Sequence, residues 1–225
     1  GSSSGGATGG GGSAGGGSTV PVTPTTPTTP ETPATDVSDD AKNAAAKFND
    51  VNETSWFAEA VGYALKNNLF SGTSGKEFSP NVAMNRGMTV TVLYRMAGSP
   101  AVSGNAAFND VSGSAYYTNA VKWAADNNIT SGTSATTFSP SALLTREQFV
   151  TLLYNYYKAT GKDVSDVDSL SAFSDAGSIA SYAKTPMQWA VKQGIISGVT
   201  ADQIQPKGNA TRAQVAAMLM RLEAK

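Results

Sequence analysis

Between Arg146 and Tyr157 the apolar residues Phe149, Leu152, Leu153, Tyr156 and Tyr157 recur at the spacing of one helix face. Val215, Met218, Leu219 and Leu222 repeat that stripe near the C-terminus, and "MNRGMTVTVLYRM" carries a related run from Met84. A residue able to cap a helix stands before each run: Asn85, Thr145 and Thr211. Gln148 and Gln214, three residues on, complete two capping boxes. These signals predict helices beginning near 86, 146 and 212. Upstream of each, a second pattern predicts helices over approximately 56–67, 116–127 and 182–193, carrying in the first case Trp56, Ala60, Val61, Ala64 and Leu65. Asn68, Asn128 and Gly194 follow, three residues that tolerate the left-handed conformation ending a helix. Pro186 falls early in the last of these helices, where only the first turn tolerates it, so that helix is expected to be distorted or delayed. Thr185 and Gln188 could cap such a later start.

The two patterns make one unit, present three times. The blocks start at Phe48, Phe108 and Phe173, and their linking loops share Gly72, Gly132 and Gly198 and then Pro80, Pro140 and Pro206. A two-helix unit cannot bury its own apolar face, so the copies should pack together through the second-helix stripes. Three copies favour an all-α, compact, pseudo-threefold assembly. The expected division is a linker at 1–36 and repeats at 37–100, 101–160 and 161–225. Within the linker, "GSSSGGATGGGGSAGGG" reads as flexible coil and the Thr-Pro tract after it as an extended spacer reaching on the order of 60 Å.

Composition narrows the chemistry. The 225 residues hold no cysteine and no histidine, which excludes a thiolate nucleophile, a histidine-dependent triad and a zinc site of the usual ligands. A net charge of -1 and the lack of a basic run make nucleic acid an unsuitable partner. No apolar run is long enough to span a membrane, and no signal-peptide pattern opens the chain, so a leader has been removed or the chain is a fragment of something longer.

Three residue sets recur. Arg86, Arg146 and Arg212 each occupy the first position of a helix, the end whose partial positive charge disfavours cations. A guanidinium beside unpaired backbone donors would attract an anion, whereas a salt bridge to an Asp would leave a ligand no role. Asp50, Asp110 and Asp175 lie two residues after each leading Phe, suited either to capping backbone amides or to accepting hydrogen bonds from sugar hydroxyls. Gly72, Gly132 and Gly198 serve a turn, admit close approach to the backbone, or both. Trp56, Tyr116 and Tyr182 open the first helices, with Tyr63, Trp123 and Trp189 one or two turns on. At helical spacing such aromatics are more often core, but one partly exposed aromatic per copy, expected at Trp56, Tyr116 and Tyr182, would suit stacking on a sugar ring. Asp50, Asn52 and Thr54 look like the start of a calcium loop, but Ser55 and Val61 stand where Gly and Glu are required.

The run F-x-D-V, an aromatic-led helix, "SG" and "FSP", then T-R-x-Q before an apolar helix resembles the surface-layer homology (SLH) domain family over about residues 48 to 222. The resemblance implies a pseudo-trimer of helical repeats that anchors an exported protein non-covalently to the bacterial cell wall. It implies an extracellular location, no cofactor and no enzymatic activity. It also implies a secondary cell wall polymer as ligand, often carrying a pyruvylated N-acetylmannosamine, or a related peptidoglycan-linked polysaccharide. The ligand would sit in grooves between copies, contacted by the Asp, Gly and Arg sets above, with unknown N-terminal domains as cargo. The first copy departs from T-R-A-E with "NRGM", the others with "TREQ" and "TRAQ", and the third has "FSDA" and Ile204. Loss of the family's glutamate should leave each guanidinium freer for a ligand. A glycoside hydrolase would need one asymmetric acid pair rather than one acid per copy. A helical protein-protein scaffold without glycan binding is the alternative.

Overall fold

The computed structural model describes residues 37–223, and the expectations for the linker at 1–36 lie outside them. The described residues form α1 (Asp39–Lys47), α2 (Ala58–Lys66), α3 (Arg86–Met96), α4 (Thr118–Asp126), α5 (Arg146–Ala159), α6 (Lys184–Lys192) and α7 (Arg212–Glu223). Two short 3-10 turns, Ala176–Ser178 and Ser181–Ala183, precede α6. Among the described residues the only β pairing is three isolated bridges.

The second helices start where the caps predict. Thr145 accepts from the Gln148 amide while the Gln148 side-chain oxygen accepts from the Thr145 amide, Thr211 and Gln214 do the same, and Asn85 accepts from the Met88 amide. The first helices end as expected, with φ of 56° at Asn68, 57° at Asn128 and 63° at Gly194. Pro186 does not delay α6. Lys184 stands five residues before Trp189, as Thr118 stands before Trp123, and Pro186 sits within the first turn, where no intrahelical donor is missed. The distortion is confined to the 3-10 turn that feeds the helix, and Ala183 rather than Thr185 is the N-cap.

Packing passes each copy to the next. Helix α4 lies on α3, α6 on α5, and α2 of the first copy closes on α7 of the last. The expected pairing of second-helix stripes is therefore secondary, limited mainly to α3 against α5, because the long loop carries each second helix towards the following copy's first helix. An aromatic chain follows the same route: Tyr94 to Trp123, Trp123 to Tyr156, Tyr156 to Tyr157 and Tyr157 to Trp189, with centroids 5.4–5.9 Å apart.

At the centre the three segments ahead of the second helices bond in a cycle. Met84 donates to the Ala210 carbonyl (2.8 Å), Ala210 to Leu144 (2.9 Å) and Leu144 back to Met84 (2.9 Å). All three residues are fully buried. The next amides continue outward: Arg86 donates to Ala142, Arg146 to Gly208 and Arg212 to Val82, then Gly87 to Pro140, Glu147 to Pro206 and Ala213 to Pro80. An added Cβ at Gly87 would come within 2.9 Å of the Tyr117 ring, so the first copy's glycine makes room for its neighbour's aromatic.

Helix α1 has no counterpart in the other copies and was not expected from periodicity. Ser38 caps it, Asp39 and Asp40 occupy its first turn and Lys47 its last, which suits the helix dipole. It packs on α2 at Gly62, where an added Cβ would lie 2.0 Å from the Asp40 carbonyl oxygen. The other copies, lacking such a helix, carry Lys122 and Gln188 there. Gly62→Ala should therefore destabilise the fold by about 1–3 kcal/mol through overpacking. Urea unfolding would measure the loss, and amide exchange should show protection falling first in Ala44–Lys47.

Candidate functional site

Each Asp clamps its own loop. Asp50 accepts from the Phe78 and Ser79 amides (2.8 and 2.6 Å), Asp110 from Phe138 and Ser139 (2.8 and 2.7 Å), and Asp175 from Ile204 and Gln205 (3.1 and 2.7 Å). The second residue of each pair has a left-handed backbone, with φ of 58° at Ser79, 58° at Ser139 and 47° at Gln205. The capping role is thus occupied in all three copies. For Asp50 and Asp110, burial pushes the carboxyl up, but the two amide bonds outweigh it and hold both below the ordinary value, with Arg86 assisting at Asp110.

The glycines are required by space. At Gly72 an added Cβ would lie 2.3 Å from the Ser74 carbonyl oxygen and 2.6 Å from the Phe48 ring. At Gly132 it would meet the Thr137 carbonyl oxygen at 2.5 Å and Phe108 at 2.6 Å, and at Gly198 the Thr200 carbonyl oxygen at 2.5 Å. Positive φ adds to the requirement at Gly132 (82°) and Gly198 (100°).

The arginines overturn one expectation. Their helix starts offer no free donors, because the first two amides of each helix bond to carbonyls of the following copy, in cyclic order, and the third to the cap side chain. Nor are the guanidinium groups left free by the missing glutamate. Arg86 Nε donates to Phe138 O (2.7 Å), Arg146 Nε to Ile204 O (2.8 Å) and Arg212 Nε to Phe78 O (2.8 Å), each in the neighbouring copy's loop. Arg86 lies 4.7 Å from the Phe138 ring centroid and Arg212 4.6 Å from that of Phe78, which stabilises the cation on the ring face. Ile204 offers Arg146 no such face. The three residues are 8%, 4% and 6% exposed, respectively. Burial pushes all three down. Arg146 reaches about 10 with Arg221 adding to the effect and Asp175 opposing it, and Arg212 reaches about 10 with Asp50 opposing. All remain cationic at neutral pH.

These parts meet in a groove of about 550 Å³ built from all three copies. Arg86 comes from the first copy, the loop from Asn128 to Thr133 and the α5 residues Gln148, Thr151 and Asn155 from the second, and Tyr182 from the third. Asp110 is not among the lining residues, so the structure brings together the predicted Arg, Gly and aromatic and leaves the Asp behind them, bracing the loop. Trp56, Tyr116 and Tyr182 are 52%, 64% and 54% exposed, in contrast to the buried Trp123 and Trp189.

Thr130 and Asn155 were missed by sequence reading. Thr130 Oγ1 receives an Arg86 Nη2 bond (3.4 Å) and a bond from the Gly132 amide (3.2 Å). Asn155 donates to Ile129 O (3.1 Å), as Arg95 does to Leu69 O (3.0 Å) and Arg221 to Ile195 O (3.3 Å). The signal was a polar residue breaking each apolar stripe nine positions after the recurring arginine.

Residues 47–87, 107–150 and 172–216 match the S-layer homology domain. The chain belongs to the S-layer homology domain family. An SLH domain is an anchoring unit and not a catalytic one, and the chain is accordingly a cell-surface anchoring module. The surface-layer 125 kDa protein of Lysinibacillus sphaericus is 30% identical over 79% of this chain and 15% of its own length. An endoglucanase of Bacillus sp. (strain KSM-635) is 28% identical over 81% of this chain and 19% of its own. The cellulosome-anchoring protein of Acetivibrio thermocellus is 24% identical over 68% of this chain and 35% of its own. The SLH chain thus spans less than a fifth of the first two relatives. Among the described residues no helix is long and apolar enough to cross a membrane.

The SLH loop clamp predicts an acid dependence. Carboxyls held below their unfolded value stabilise the fold fully above about pH 4, and that contribution is lost as pH falls through the lower folded value. The urea midpoint should therefore drop between pH 5 and pH 2. In the Asp50→Asn, Asp110→Asn double variant the starting stability should be lower and the drop shallower, and a drop as steep as wild type would contradict the clamp.

Proposed function

We propose that the three SLH copies, bounded at 37–100, 101–160 and 161–225, form a pseudo-threefold anchor that binds an anionic secondary cell wall polymer in the grooves between copies. The observation that carries this reading is the groove joining Arg86, the Gly132 loop and Tyr182. It combines a buried cation, backbone and side-chain polar groups and an exposed aromatic in one cleft. That combination suits a sugar ring bearing a carboxylate, such as a pyruvate ketal on an aminosugar. In this reading the Arg supplies the electrostatic attraction, the loop and α5 orient the hydroxyls, and Asp50, Asp110 and Asp175 act through the loops they brace. The two other grooves would join Arg212 to the Gly72 loop and Tyr116, and Arg146 to the Gly198 loop and Trp56. Several grooves on one polymer would add avidity. The anchor would hold further domains of a longer surface protein on the outside of the bacterial wall, a reading supported by the surface-layer and cellulosome-anchoring relatives.

Because the arginines are buried supports of the fold, replacing them would confound binding with stability. Ser71, Ser131 and Ser197 stand beside the loop glycines and are exposed. Replacing all three with Trp should fill the grooves and reduce retention on purified wall sacculi at least ten-fold, with helical circular dichroism unchanged. Sacculi stripped of their secondary polymer should no longer retain the wild-type chain. Retention by the triple variant or by stripped sacculi would instead support a protein-binding scaffold.

A further inference from the structure

Glu147 occupies the second position of α5 and is 2% exposed, yet its counterparts at the starts of α3 and α7 are Gly87 and Ala213. One helix start of the three therefore buries a carboxylate. Three donors of the third copy converge on it: Lys207 Nζ at 2.5 Å, the Ala180 amide at 3.1 Å and the Tyr182 hydroxyl at 3.3 Å. Such partners are what a buried charge requires. Two of them bracket the groove aromatic. Ala180 immediately precedes the 3-10 turn Ser181–Ala183, and Tyr182 is its central residue. The carboxylate thus holds both the backbone ahead of Tyr182 and the far end of its side chain, while 54% of the residue faces open space along the Arg86 groove. Burial and the adjoining Glu147 charge both raise the Tyr182 phenol above its ordinary value. Tyr116 and Trp56 occupy the corresponding place in the other copies, where Gly87 and Ala213 provide no side-chain acceptor.

We infer that Glu147 is a positioning residue for ligand binding in the Arg86 groove, fixing Tyr182 as a pre-set wall against which a sugar ring packs. Immobilising a side chain before binding removes an ordering cost that the ligand would otherwise have to overcome. The inference rests on the proposed reading of the grooves as glycan sites, and it assigns one of them a device that the other two lack.

The test is an NMR titration of the whole, 15N-labelled chain with the methyl glycoside of pyruvylated N-acetylmannosamine, reading each groove through the amides of Gly72, Gly132 and Gly198. In Glu147→Ala the dissociation constant read at Gly132 should rise about five-fold, while those read at Gly72 and Gly198 stay put. Glu147→Gln, which keeps one oxygen to accept from the Ala180 amide and offers an NH2 from which the Tyr182 hydroxyl can accept, should lie closer to wild type and lower the Tyr182 phenol titration. Tyr182→Phe keeps the ring and removes the tether, so it should weaken Gly132 binding in the same direction even if Glu147→Ala fails to fold. Unchanged Gly132 binding in Glu147→Ala or Tyr182→Phe, or an equal loss in all three grooves, would overturn the positioning role and leave the glycan reading standing. No saturable shift at any glycine of the wild-type chain would overturn the glycan reading and the inference together.

Discussion

The cycle of backbone hydrogen bonds among Met84, Leu144 and Ala210 sets the rest of the arrangement. Buried amides and carbonyls must find partners, and here each segment finds them in the next copy rather than in itself. Once the three segments are joined, the following amides of each second helix face carbonyls of an adjacent loop, including those of Pro80, Pro140 and Pro206. That contact lays the loop of one copy across the helix start of another. The Arg86 groove follows from this placement, because its cleft lies where a loop, a helix start and the next copy's aromatic meet.

An arginine at a helix N-terminus is unfavourable when the helix is considered alone. In the folded SLH chain the relevant neighbours are different. The donors that generate the positive end are already bonded, and each guanidinium meets a carbonyl oxygen, with an aromatic face beneath it in two cases. Asp110, Asp175 and Asp50 add favourable fields at Arg86, Arg146 and Arg212 without a direct ion pair among the described residues. The arginine is thus a structural strut first. In the proposed reading, attraction for an anion at Arg86 would come from a charge held at the groove wall, not from a vacant set of amides.

Local signals in the sequence were reliable where the physics is local. Thr145 with Gln148, the left-handed Asn68 and Asn128, and the in-register start of the second helices depend on contacts within a few residues. The Asp and Gly sets were found as recurring positions, but their partners could not be read, since Asp50 reaches Phe78 and Arg212 reaches Phe78 from opposite directions in the chain. Helix α1 escaped notice because it is short, alanine-rich and unrepeated, although Ser38 and Gly62 both carried its trace. Glu147 escaped because reading by repetition favours what is shared, and its partners Ala180, Tyr182 and Lys207 belong to a copy where nothing marks them as a set.

The closure of α2 on α7 has a consequence for how binding competence is acquired. A helix near residue 60 waits for one near residue 215, and the strut from Arg212 to Phe78 spans a similar separation. Contacts this distant in sequence form late, after the intervening chain has been ordered. The Arg86 groove itself takes Tyr182 from the third copy, so it too is incomplete until that copy is folded. During synthesis from the amino end the Arg86 groove is therefore unfinished until the third copy has been made, and in the proposed reading attachment arrives in one step, with the completion of that copy.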